Sequence, residues 1–82
     1  MTGKNELLER IEDRYDKMSK GQKRLADYIR ASYEKAVFMT ASRLGEVVGV
    51  SESTVVRFAV VLGYKGYPQF QKALEELVSN RL

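Results

Sequence analysis

Apolar side chains recur at helical spacing along most of the 82-residue chain, and no stretch alternates apolar and polar positions with period two. Leu7, Leu8, Ile11 and Tyr15, with Met18 one turn on, predict a first helix over 5–16. Glu6 and Arg10 stand four apart there and support it, whereas Glu9 and Asp13 oppose it. Ser19-x-x-Gln22 has the form of a capping box, in which each side chain bonds the other residue's backbone N–H. A second helix is therefore predicted from 20 to about 32, with Leu25, Ala26, Ile29 and Tyr33 as its apolar stripe and Tyr28 at the edge. The period breaks over 33–39, where a connection should tuck Val37, Phe38 or Met39 into the core. Thr40 then caps the next helix.

The chain is organised around residues 40–64, TASRLGEVVGVSESTVVRFAVVLGY. They predict a helix over 41–48, a turn at Gly49 and Val50, and a second helix from 51 to about 62. Leu44, Val48, Val50, Val55 and Phe58 are spaced for one shared core. Gly45 and Gly49 are small where two helices must approach or turn. This is the pattern of a helix-turn-helix, which sets its second helix in the major groove of DNA. Leu62-Gly63 predicts a glycine C-terminal cap, and Pro68 suits the first turn of a last helix carrying Phe70, Ala73, Leu74, Leu77 and Val78. The 63–67 link is too short for the β-hairpin of a winged variant. The expected fold is an all-α, five-helix bundle containing a helix-turn-helix without a wing, as a single domain over 1–82.

Composition narrows the chemistry. The chain has neither cysteine nor histidine. Disulfides, thiolate zinc sites and Ser-His-Asp or Cys-His catalysis are excluded, and no cofactor or metal is implied. No nucleophile–base pair or phosphate-cradling glycine loop is present, so an enzyme is the poorest reading. No run reaches the length of a membrane span, and MTGKNELLER lacks the apolar core of a signal peptide, which makes a cytoplasmic location the default. The net charge of +3 is mild, but its distribution is uneven. Residues 1–34 carry eight basic and seven acidic side chains, whereas 35–74 carry five basic (Lys35, Arg43, Arg57, Lys65, Lys72) and two acidic (Glu46, Glu52). The excess surrounds the helix-turn-helix, as phosphate binding requires; ordinary surface scatter is the alternative.

On a helical wheel of the second motif helix, Ser51, Val55, Phe58, Ala59 and Leu62 fall on the core side. Ser53, Arg57 and Val60 fall opposite, Thr54 and Val61 flank one edge, and Val56 flanks the other. Ser51 is the natural N-cap. Arg57 can donate two hydrogen bonds to guanine O6 and N7 or clamp a phosphate; an ion pair with Glu52 or a solvated arginine is its bland alternative. Ser53 and Thr54 are short donors and acceptors near base height, or simply helix-start residues. Arg43, Lys65 and Lys72, with backbone N–H groups near Gly66, are phosphate candidates. So are Lys20 and Lys23, which stand with Lys17 and Arg24 where cations oppose the helix macrodipole; a solvated basic end is the other reading. Tyr64 and Tyr67 offer stacking surfaces, and at least one should be core. The first helix either covers the core or forms a dimer contact.

VSESTVVRF followed by LGYKGYPQFQKAL resembles the N-terminal domain of RpiR-type bacterial transcriptional regulators, and the resemblance spans most of the chain. It implies a five-helix domain that binds a double-stranded DNA operator as a homodimer, with Ser51, Ser53, Thr54 and Arg57 facing DNA and Lys65 and Gly66 near its backbone. It also implies control of genes for sugar or carbohydrate-derivative metabolism. A sugar-isomerase-type domain usually follows in such regulators and senses a phosphorylated sugar; these 82 residues do not include it, so a sugar-phosphate effector would act only through that missing C-terminal domain. One departure stands out. Where the family often has basic residues before Leu-Gly, this chain has Val60 and Val61; either they contact a thymine methyl, or they form part of a protein interface, or the helix sits at a different tilt. With Val56 they support the competing reading, a helical interaction or dimerisation module that keeps the fold without binding DNA.

Overall fold

The computed structural model describes the backbone of residues 6–81 and the side chains of 6–79. Five α-helices follow one another: α1 Glu6–Arg14, α2 Lys20–Ala36, α3 Ala41–Val48, α4 Glu52–Val61 and α5 Tyr67–Arg81, with a 3-10 turn, Tyr15–Lys17, after α1. Among the described residues there is no strand, hence no wing.

Local chemistry sets the helix starts. The capping box forms in full: Ser19 Oγ accepts from the Gln22 N–H at 3.2 Å, and Gln22 Oε1 accepts from the Ser19 N–H at 3.0 Å. Thr40 Oγ1 accepts from the Arg43 N–H at 3.1 Å, and Ser51 Oγ from the Thr54 N–H at 3.1 Å. These bonds satisfy donors that a helix start leaves open. Two ends are closed by glycines in the left-handed region, Gly49 at φ 90° and Gly63 at φ 95°. After α4 the Gly63 N–H donates to Val60 O and the Tyr64 N–H to Ala59 O, the paired bonds of a Schellman motif.

The predicted ends need correction at two places. The predicted start of the first helix, position 5, lies outside the described residues, and its last turn tightens into the 3-10 turn, closed by Met18 N–H to Tyr15 O at 3.0 Å. α2 does not stop at 32. Its geometry breaks at Ser32 (φ −144°, ψ 40°) and then resumes for one more turn to Ala36, closed by Val37 N–H to Tyr33 O. The broken period over 33–39 marks that kink. Buried Ala36 and Val37 anchor the extra turn, while Phe38 stays 86% exposed. Val37 thus supplies the tucked side chain, with Met39 partly buried against the core.

All five helices contribute to one core. Leu7 and Ile11 from α1, Leu25, Ala26 and Ile29 from α2, Leu44 from α3, Val55, Phe58 and Ala59 from α4, and Phe70, Leu74 and Leu77 from α5 are buried, with Leu62 beside them. The rings of Phe58 and Phe70 meet edge to face at 5.8 Å, and Tyr64 and Tyr67 pack on Phe70 from the α4–α5 link and the start of α5. Such aromatic contacts contribute about 1 kcal/mol each beyond the buried area. α5 also holds the α2–α3 connection. Tyr67 Oη donates to Met39 O at 2.8 Å, and Gln71 Nε2 donates to Val37 O at 3.0 Å. Burial pushes the Tyr67 phenol up to about 12.

Two contacts set the pose of α4. In front, the turn that leads into it lies so close on α3 that a Cβ at Gly45 would stand 2.6 Å from Val50 O. Gly45 O receives both the Gly49 and Val50 N–H groups at 2.8 Å, which fixes the turn. Behind, Arg10 of α1 donates from Nη1 to Leu62 O at 2.9 Å, while its guanidinium lies 4.7 Å from the centre of the Tyr64 ring. Glu6 holds Arg10 in place at 2.6 Å.

Candidate nucleic-acid interface

The buried residues of α4 fall where the wheel puts them, so the opposite face is open. Ser53, Val56, Arg57 and Val60 are exposed. Glu52, Ser53, Val56 and Arg57 line a shallow depression on this face. Arg57 has no ion-pair partner among the described residues; Glu52 does not engage it. Its five N–H donors therefore remain free for an external acceptor.

The hydroxyls divide differently. Ser51 and Thr54 spend theirs on each other, Oγ to Oγ1 at 2.9 Å, besides the cap itself. Thr54 is half-buried, turned toward α2. Of the four residues expected near bases, Ser53 and Arg57 project freely, while Ser51 and Thr54 shape the helix start.

The N-terminus of α2 is seated against the motif. A Cβ at Gly21 would lie 3.3 Å from Val50 Cγ1 and 3.4 Å from Thr54 Cγ2. Two serine-capped helix starts therefore stand side by side, and their partial positive charges add to one potential. Lys20 and Arg24, one turn apart on α2, flank Gly21 and are exposed. Arg24 Nη1 reaches Gly49 O at 3.4 Å. Arg24 is the residue that sequence reasoning undervalued. It was visible only as one of four cations at a helix start, and its place over the turn depends on the docking of α2. Lys23 points elsewhere, with Nζ 5.3 Å from the centre of the Tyr15 ring. Tyr15 also carries Arg30 at 4.7 Å and donates to Asp27, whose bond raises the phenol's pKa.

The remaining phosphate candidates scatter. Arg43 is paired with Glu46 at 3.1 Å on an exposed surface, an attachment too weak to withhold it from a phosphate. Lys65, exposed, and Gly66, whose carbonyl starts α5 by accepting from the Phe70 N–H, stand at the far end of α4. That end is about 15 Å from the N-cap at helical rise. Lys72 faces depressions along α5 that also bear Glu6, Glu75 and Glu76, so its charge is offset locally. Tyr64 and Tyr67 are both committed to packing around Phe70.

Among known families, residues 5–81 match the helix-turn-helix domain of the rpiR family. The chain is 40% identical over 77 residues to YfhH of Escherichia coli K12, an uncharacterized HTH-type transcriptional regulator, covering 94% of this chain and 27% of that protein. It is 31% identical over 74 residues to the HTH-type transcriptional regulator HexR of Pseudomonas aeruginosa, covering 90% of this chain and 26% of that protein. HexR of Escherichia coli K12 is 30% identical over 74 residues. The chain thus spans about a quarter of the length of these curated relatives. No solved structure gave a significant match.

Proposed function

The chain belongs to the rpiR family of helix-turn-helix domains, and on that premise we propose how it works as the DNA-binding domain of a transcriptional regulator. α4 enters the major groove with Ser53 and Arg57 at base edges. Lys20 and Arg24, with the two helix starts beside them, hold the phosphates on one side of the groove, and Lys65 holds them at the other end of α4. The domain acts as one unit over 1–82, in the cytoplasm, as a homodimer on a two-fold operator, and carries out no catalysis of its own. Control of carbohydrate genes, and a sugar-phosphate effector bound elsewhere in a longer regulator, follow from the family resemblance.

The observation that supports this most is the unpaired Arg57 on the open face of α4, one turn from Ser53. Selection of bound sequences from random duplex DNA tests it. The expected result is an inverted repeat with half-sites one helical turn apart or a multiple of that. Affinity for the selected site should fall steeply with salt as counterions are released. Arg57→Ala should relax the preference at one base pair, at a cost of about 1–3 kcal/mol. No enrichment, or an affinity indifferent to salt, would sink the proposal.

A second reading has its own observation. Val56, Val60 and Val61 are 38%, 53% and 38% exposed, an apolar surface that suits a protein partner. Light scattering on Val60→Lys separates the two. An unchanged oligomeric state with no partner lost speaks against the interaction module.

A further inference from the structure

The open face of α4 carries two valines that its packing does not need. Val55, Phe58 and Ala59 account for the buried side of the helix, while Val56 is 38% and Val60 53% exposed. They stand one turn apart on the side that bears Ser53 and Arg57, and Val56 shares the surface depression with both.

We propose that Val56 and Val60 are specificity-determining residues that read thymine, each by contact with the C5 methyl group of one base in the major groove. The proposal rests on α4 being the recognition helix. Valine has neither donor nor acceptor, so hydrogen bonding to a base edge is closed to it. The thymine methyl is the one apolar feature that any of the four bases presents in the major groove. Four residues of helix advance about 6 Å, close to two base steps at roughly 3.4 Å each, so the pair addresses two thymines separated by one intervening position. Ser53 and Arg57 border the same depression and supply the polar contacts on either side.

The geometry disfavours a second copy of the chain as occupant. A two-fold contact through this face would bring each Arg57 toward its own copy, with Glu52 the only carboxylate in the depression to offset them.

The test uses a duplex selected from random sequence by the intact chain. Each thymine in turn is replaced by deoxyuridine, which lacks the methyl and nothing else, and affinity is measured at fixed salt. Two positions in each half-site should lose about fourfold, the effect of uncovering one buried methyl. Val56→Ala should abolish the loss at one of them and Val60→Ala at the other, while neither changes thermal stability, since both side chains are exposed. Deoxyuridine tolerated everywhere, or penalties that persist in both alanine variants, would refute the thymine assignment while leaving the recognition helix standing. Failure to select any duplex would refute the recognition helix, and the assignment with it. A change confined to oligomeric state in Val60→Ala would give the valines to a contact between copies and overturn the proposal.

Discussion

Gly45→Ala is the sharpest perturbation this fold offers. In an ordinary helix the change stabilises by about 1 kcal/mol, because glycine pays more backbone entropy. Here the new Cβ would stand 2.6 Å from Val50 O and 3.3 Å from the Ser51 carbonyl carbon. Ordinary contact would require the turn that leads into α4 to move off α3 by roughly 0.8 Å, and overpacking of this kind costs about 1–3 kcal/mol. No rotamer relieves it, since the opposing atoms are backbone held between left-handed Gly49 and the Ser51 cap. With rigid backbone opposite, the strain falls in the upper half of that range, about 2–3 kcal/mol; the propensity gain of about 1 kcal/mol leaves a net loss of roughly 1–2 kcal/mol. For a chain of this size that is a fall in Tm of about 5–15 °C, against a total stability of about 4–12 kcal/mol. Urea titration and thermal melting measure it. Gly21→Ala is the control, because its Cβ would meet only the side-chain tips of Val50 and Thr54, at 3.3 and 3.4 Å; it should be near neutral. DNA affinity of Gly45→Ala, measured where both proteins are folded, should fall by more than the unfolded fraction explains, since α4 is tilted. A Gly45→Ala protein as stable as the parent would refute the reasoning.

Three further outcomes follow from the same geometry. Tyr67→Phe removes the donor to Met39 O, leaving Gln71 Nε2 at 3.2 Å, and should cost about 1 kcal/mol in urea titration. Because burial raises the Tyr67 phenol to about 12 from an unfolded value near 10, the folded state keeps a proton that the unfolded state loses. Stability from this group is complete below pH 10 and declines between pH 10 and 12, and Tyr67→Phe should flatten that decline. Ser51→Ala deletes the cap of α4 and should cost about 1 kcal/mol, read as a lower urea midpoint at unchanged slope. Arg10→Gln removes the charge-assisted bond to Leu62 O and the cation over Tyr64. About 1–2 kcal/mol should be lost, with the larger change in amide exchange at the C-terminal end of α4.

Much of this was legible in the chain because it is local. The caps at Ser19, Thr40 and Ser51 depend on residues three apart, and the glycine caps on a backbone angle that few other residues adopt. The open face of α4 followed from its own periodicity. What escaped was set by partners distant in sequence. Arg24 and Gly21 matter because α2 docks on the turn. Lys72 loses its standing because α1 brings Glu6 beside the acidic stretch of α5. The choice of Val37 over Phe38 for the core depends on a kink at Ser32, which the broken period over 33–39 marks without saying which side chain turns inward. Thr54 looked free because the pairing of its hydroxyl with Ser51 competes with any outside contact at no visible cost in sequence.

The bond from Arg10 to Leu62 joins residues 52 positions apart. Closing so long a loop is entropically unfavourable until the intervening chain has condensed. On this account α1 docks late, onto a helix-turn-helix already formed, and Arg10→Gln should speed unfolding more than it slows folding. Until α1 docks, the Leu62 carbonyl lacks its Arg10 donor, so under the proposed function the DNA affinity of a partly unfolded chain would report whether that docking has taken place.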